Sequence, residues 1–381
     1  MTRSAWGQGS RPLNALFVLT DLAGGGAERA TLDVLRHLDP ERVKATLLLL
    51  KRQGVYWKEV PPHVSTECVS GTGRKLRYEI PRLLATLQRL GRNTDVIVGV
   101  QELTATYVAC AAAVLLRKHM VGWVHTVMDT YLAGLSHSHR VIARLIYPRL
   151  SAVVCPSNGA VQSLKRIVLS PKMRCLMIPN PVDGSRLRAM AGEALPEWAP
   201  SVLSRPTIVG MGRLEPGKGF DLLIRAHAQM RGRGIEQHLL IMGEGPMRVE
   251  LESLASALGV RETVHMPGFI GNPYPILKRA RAFVLSSRFE GLPVVLLEAL
   301  ALGVPAVATT CPAGPEEVLE GGRCGLLVPV DDADGLAGAI ERALTDGDLR
   351  AVLSRLGQER AAMYSPKLIA TEWEHLLSSL V

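Results

Sequence analysis

Four ionisable side chains raise the first chemical question. Glu290 and Glu298 stand eight residues apart in SSRFEGLPVVLLEAL, residues 286–300, a stretch that is otherwise almost wholly apolar. Arg213 and Lys218 stand in GRLEPGKG, residues 212–219. A planar guanidinium, a compact ammonium and the free N–H groups of a helix start together suit a diphosphate. Taken singly, either cation reads better as a solvated loop charge than as a phosphate ligand. An ionised carboxylate accepts hydrogen bonds and repels phosphate, so the two glutamates suit hydroxyl groups, those of a sugar or the 2',3'-diol of a ribose. Structural readings stand beside these: Glu298 as a buried carboxylate paired with an arginine, and Glu290 as a first-turn acid favoured by the helix dipole.

Such groups work only if rigid elements hold them. The pattern predicts strands over 207–212, 238–242, 282–287 and 304–309, alternating with helices over 221–230, 247–258 and 293–302. The loop after the first of these strands carries Arg213 and Lys218, and the loop after the third carries Glu290. After the second comes Gly243-Glu244-Gly245-Pro246, a turn by composition and an edge for a nucleotide pocket. In the first half, strands are predicted over 13–20, 45–50, 96–100, 120–125 and 152–156. The first of them leads through Gly24-Gly25-Gly26 into a helix over 27–38. Strand, glycine turn and helix open a Rossmann-like unit, although G-x-G-x-x-G is absent and Glu28 stands in the first helical turn. Alternating strands and helices predict parallel sheets in both halves, with a Pro-rich linker over 184–206. The expected architecture is two α/β domains facing each other across a cleft.

At 381 residues the chain exceeds what one core usually supports. Lys and Arg outnumber Asp and Glu by 24 to 12 over residues 1–185, whereas 20 face 23 over residues 186–381. The basic first half therefore suits an anionic partner, or is simply a solvated basic surface. Nucleic acid is disfavoured, because 4% aromatic residues offer few stacking platforms. No apolar run reaches the roughly 18 residues of a membrane span. The patch at 15–19 is too short for a signal peptide, so the start reads as a loose tail before the first strand. Six cysteines without C-x-x-C spacing fit a reducing compartment, the cytoplasm by default.

Taken together, FEGLPVVLLEALALGVPAVAT with its two glutamates, GRLEPGKG, GEGP, GGGAER and GLLVPVDD resemble the retaining glycosyltransferases of family 4, with the GT-B fold. The motifs run in order over residues 13–375. The resemblance implies a Rossmann-like acceptor-side domain over 1–185, a nucleotide-sugar domain over 186–364 and a C-terminal helix, 365–381, packing back on the first domain. It implies that Glu290 lies near the transferred sugar and Glu298 at the ribose, while Arg213 and Lys218 hold the pyrophosphate and stabilise the departing nucleotide. It places His125, in GWVHT, near the donor sugar, where a lone strand-end histidine would otherwise read as structural. Gly25 and Gly26 approach the donor phosphates or the acceptor. Gly212, Gly291, Leu292 and Glu244 complete the expected donor contacts.

The reaction so implied moves a hexose or N-acetylhexosamine from a nucleotide sugar, UDP-linked by resemblance, to a glycan or a polyprenyl-linked or other lipid-linked acceptor in surface polysaccharide or glycolipid synthesis. A GT-B sugar-nucleotide 2-epimerase and a non-catalytic partner subunit are the alternatives. No cofactor and no metal are expected. Asp332-Ala333-Asp334 has the D-x-D form of metal-dependent transferases but reads as an N-cap, and Asp346-Gly347-Asp348 reads as a turn. The arginine-rich stretch 74–92 carries Leu83, Leu84, Leu87 and Leu90 at helical spacing. It could rest on the anionic inner face of a membrane or pack its leucines onto the first sheet.

Overall fold

A computed structural model describes residues 11–71 and 78–381. Residues 1–10 of the expected tail and residues 74–77 of the basic stretch lie outside the described residues. The chain divides into two compact units, Met1–Pro181 with Pro366–Val381, and Val182–Ser365.

The first unit is built on a seven-stranded parallel sheet. Its strands are β1 (Leu13–Leu19), β2 (Val43–Lys51), β3 (Ser65–Ser70), β4 (Val96–Val100), β5 (His119–Trp123), β6 (Ala152–Cys155) and β7 (Cys175–Met177). They lie in the order β3-β2-β1-β4-β5-β6-β7. The second unit holds a six-stranded sheet of β8 (Thr207–Met211), β9 (His238–Met242), β10 (Val264–Gly268), β11 (Ala282–Leu285), β12 (Ala306–Thr309) and β13 (Leu326–Val328), in the order β10-β9-β8-β11-β12-β13. Every pairing is parallel. A parallel sheet covered by helices on both faces buries its central strands completely, which is why β4 and β11 read as unbroken apolar runs.

Each sheet reverses its winding at one place, between β1 and β4 in the first unit and between β8 and β11 in the second. In open parallel sheets the loops beyond the carboxyl ends of the strands at that reversal splay apart and leave a crevice. The glycine loop of the first unit leaves β1, and the loops of Arg213, Lys218 and Glu290 leave β8 and β11.

Two features differ from the sequence reading, and the leucines of the arginine-rich stretch take one of their two expected placements. Residues 184–206 are an integral part of the second unit and not a linker. Asp183 caps the helix Gly184–Met190 by accepting from the Arg186 amide at 3.0 Å, and Leu187, Ala191 and Ala199 are buried. Prolines interrupt the pattern there, so short helical turns with few apolar residues escape a periodicity test. The helix Ile80–Gly91 packs Leu83 and Leu87 into the first core, while Leu84 stays 49% exposed. The second D-x-D is an N-cap, not a free turn: Asp346 accepts from the Leu349 amide at 2.9 Å, as Asp332 does from Gly335 at 2.8 Å.

The helix Pro366–Ser378 belongs to the first unit. Its Trp373 is fully buried between Phe17 and Trp123, with ring centroids 6.3 and 4.5 Å away. Glu374 accepts from the Asp39 amide at 2.8 Å and pairs with Arg42 at 3.1 Å. Among the described residues no helix is long and apolar enough to cross a membrane.

Candidate functional site

In the second unit, the loops after β8, β9 and β11 are zipped together by their backbones. The Leu214 amide donates to Glu244 O at 2.9 Å and the Arg288 amide to Gly217 O at 2.8 Å. Glycine is required where these loops touch. A Cβ on Gly243, at φ +151°, would lie 1.9 Å from Gly212 O, and one on Gly219, at φ +61°, 2.0 Å from Ser286 O. The glycines of GRLEPGKG and GEGP thus bring three loops to one edge of the sheet.

There the Lys218 ammonium meets Glu290 at 2.7 Å, Nζ to Oε1. Glu290 is 8% exposed, and Ser287 Oγ donates to the same carboxylate oxygen at 2.6 Å. A buried carboxylate is costly unless it is paired and hydrogen-bonded in this way. Arg213 is placed differently. It pairs with Glu215 of its own loop at 2.8 Å, with its side chain 72% exposed. Glu244 forms a surface pair with Arg248 at 2.9 Å. Gly291 and Leu292 are buried between Glu290 and the helix Val294–Ala301. That helix carries Glu298, which is 3% exposed and accepts from the Tyr274 hydroxyl at 2.8 Å.

Several residues that the sequence reading passed over brace this site. Arg288 makes two 2.8 Å bonds to Asp221 and further bonds of 2.8 Å to Asp331 and to Pro216 O. The guanidinium holds the Asp221 carboxyl below its ordinary value. This fork ties the glutamate loop to the first turn of the helix Phe220–Gly232. Burial, and then the Glu290 charge, push the Cys311 thiol up to about 12, so it stays protonated. Adjacency to FEGLP is the only sequence signal for Arg288 and Ser287.

In the first unit, an open pocket of ≈ 320 Å³ lies where β1 and β4 diverge, lined among others by Thr20, Asp21, Ala27, Gln101, Glu102 and Tyr131. Gly25 caps the helix Gly26–His37, and a Cβ there would lie 2.5 Å from Glu28 Oε2. Glu28 is 7% exposed and accepts from Gln101 Nε2 at 3.1 Å. A carboxylate therefore already sits against the helix start where an anion could otherwise bind.

Glu102 is the residue that the sequence reading missed here. Its Oε1 accepts from the amides of His125 and Thr126 at 2.5 and 2.9 Å. Its neighbours Gln101 and Leu103 both adopt left-handed backbone, with φ of 70° and 61°. Thr106 Oγ1 secures this turn through Gln101 O at 2.5 Å. Desolvation raises the Glu102 carboxyl above its ordinary value, against the opposing pull of the two amides. His125 stacks on Trp123 at 4.7 Å, and both its ring nitrogens are buried without a hydrogen-bond partner among the described residues. Burial pulls this imidazole down to about 3, so it is neutral at physiological pH. A carboxylate directly after a strand, interrupting an apolar run, was the available signal for Glu102.

Two family descriptions match the chain: Glycosyl transferases group 1 over residues 197–360 and Glycosyltransferase Family 4 over residues 24–186. The lipopolysaccharide core biosynthesis glycosyltransferase LpsE of Rhizobium meliloti is 33% identical over 238 residues, 62% of this chain and 67% of that one. In Campylobacter jejuni, N-acetylgalactosamine-N,N'-diacetylbacillosaminyl-diphospho-undecaprenol 4-alpha-N-acetylgalactosaminyltransferase is 31% identical over 235 residues, 61% of this chain. The match spans 62% of that relative's own length. HepE of Anabaena, solved with UDP and glucose, aligns over 97% of this chain and 100% of its own at TM-score 0.82 and 20% identity. Sucrose-phosphate synthase of Thermosynechococcus elongatus aligns over 97% of this chain and 99% of its own at TM-score 0.78 and 22% identity. At such identities the likeness is one of fold, the GT-B fold.

Proposed function

The chain belongs to the family 4 glycosyltransferases, and from that premise we propose that it transfers a hexose or N-acetylhexosamine from a UDP-sugar, with retention of anomeric configuration, to a glycan or lipid-linked acceptor. The observation that carries this reading is the Lys218–Glu290 pair at the winding reversal of the second sheet, with Glu298 on the helix that follows.

The chemistry follows from charge. When a glycosyl group leaves a nucleoside diphosphate, negative charge grows on the departing phosphate, and preorganised cations lower the barrier. Lys218 supplies that cation from a glycine-bounded loop. Arg213 is exposed and free to swing from Glu215 to a more highly charged phosphate. As the diphosphate draws the Lys218 ammonium, the Glu290 carboxylate turns its acceptor capacity to hydroxyls of the transferred sugar. Glu298 takes the ribose diol. His125, neutral, offers an uncharged imidazole to the sugar. The Glu28 carboxylate against Gly25 argues for hydroxyls, not phosphate, at the glycine loop, so Gly25 and Gly26 are assigned to the acceptor side.

Support for the donor comes from HepE, solved with UDP-glucose. Support for the acceptor comes from the Campylobacter relative, whose name gives a diphospho-undecaprenol-linked sugar, and from LpsE, named for lipopolysaccharide core biosynthesis. The basic first half suits attachment to the anionic cytoplasmic face of a membrane, where such acceptors would be met.

The test is a thermal-shift screen with UDP, GDP, ADP and their sugars, since a ligand of the folded state raises its stability. A rise with UDP and UDP-sugars, followed by release of UDP on incubation with acceptor, is expected. A protein that no nucleotide stabilises would sink the reading. With protein cations neutralising the diphosphate and both D-x-D segments serving as helix caps, a chelator such as EDTA is expected to leave the rate unchanged.

A further inference from the structure

The Tyr274 hydroxyl stands 2.8 Å from Glu298 Oε1, and the two residues are 1% and 3% exposed. A phenol carries one proton and an ionised carboxylate carries none, so in this bond tyrosine donates. Tyr274 is itself anchored. It opens the short helix Tyr274–Leu277, and its amide donates to Asn272 Oδ1 at 3.3 Å. Asn272 in turn donates to Met190 O and Glu193 Oε2, each at 2.9 Å.

Glu298 is joined to its helix by several rotatable bonds, and recognition of a diol demands one plane for its carboxylate. A bond to one oxygen from a fully packed tyrosine fixes that oxygen and narrows the choice of plane. We propose that Tyr274 is a positioning residue: by holding Glu298 Oε1 it aims the carboxylate's remaining acceptor sites at a ribose 2',3'-diol, and so makes this protein prefer ribonucleotides over deoxyribonucleotides. This rests on the reading of the second unit as the nucleotide-sugar site. It assigns Tyr274 a place behind Glu298 and no contact of its own with the nucleotide.

The test compares UDP and 2'-deoxy-UDP by calorimetry on the whole chain, wild type and Tyr274→Phe, with the GDP and ADP pairs run alongside so that the choice of base does not decide the outcome. The wild type is expected to favour the ribonucleotide. Tyr274→Phe is expected to weaken UDP roughly tenfold, the size of one hydrogen bond to a charged group, while 2'-deoxy-UDP changes less than about twofold. Asn272→Ala keeps the hydroxyl but loosens its anchor, and gives a smaller shift in the same direction should Tyr274→Phe fold poorly. Equal losses for both nucleotides in both variants overturn the role of Tyr274 alone. A wild type that binds UDP and 2'-deoxy-UDP equally overturns the ribose role of Glu298 and with it this inference. One that binds no nucleotide overturns the glycosyl-transfer reading itself.

Discussion

Lys218 and Glu290 neutralise each other at 2.7 Å, and each depends on the other in a different way. Removing the ammonium leaves a carboxylate that is 8% exposed without its cation, which destabilises a fold more than the pair stabilises it. Lys218→Ala is therefore expected to lose transfer by roughly 10²–10³-fold and also to lower the melting temperature. Lys218→Met with Glu290→Gln should recover the melting temperature and not the activity, as read by calorimetry beside UDP release. Glu102 has the opposite character. Its raised carboxyl means that the folded chain binds a proton more readily than the unfolded one. Its contribution is thus fullest below the unfolded value, about 4.3, and is lost as pH rises through the folded value. Glu102→Gln keeps an acceptor for the amides of His125 and Thr126 without the partly buried charge. It should be more stable than wild type at pH 7, with the gap closing in urea melts below about pH 4.

At the level of elements, the loops at the sheet edge depend on glycine backbone. Gly219→Ala combines φ +61° with a Cβ 2.0 Å from Ser286 O, so it must displace the loop that carries Glu290. It should lower the melting temperature and abolish the shift with UDP, whereas Gly271→Ala, with nothing within 4 Å, should leave both unchanged. The same scale shows which strands could be read from sequence. All nine strands anticipated are found. The four missed, β3, β7, β10 and β13, are the outer strands of the two sheets. An outer strand is covered less fully, and Cys175–Met177 and Leu326–Val328 are short and only partly buried. β10 even contains a proline, Pro267. Their sequences carry weak apolar signals because their surroundings demand little of them.

Across the molecule, two strongly depressed imidazoles contribute to the response to acid, beside the more mildly lowered His265. His125 and His227 are both held near 3 by burial. A depressed imidazole contributes stability above the unfolded value, about 6.5, and that stability is lost as pH falls toward 3. The urea midpoint should therefore drop between pH 7 and pH 5, and His227→Gln should flatten that slope. The sequence by itself determined the alternation of elements, two parallel sheets and the family, and singled out Arg213, Lys218, Glu290 and Glu298 as candidates, because periodicity and motif spacing are local properties of the chain. Only the tertiary structure decided how those residues are partnered. Lys218 turns to Glu290 while Arg213 turns to Glu215, Tyr274 holds Glu298, and Glu102 carries the His125 loop. Apart from Arg213–Glu215, those partners lie 23 to 72 residues apart in sequence. What brings them within hydrogen-bond reach is the winding of the sheets, which no short window of sequence contains.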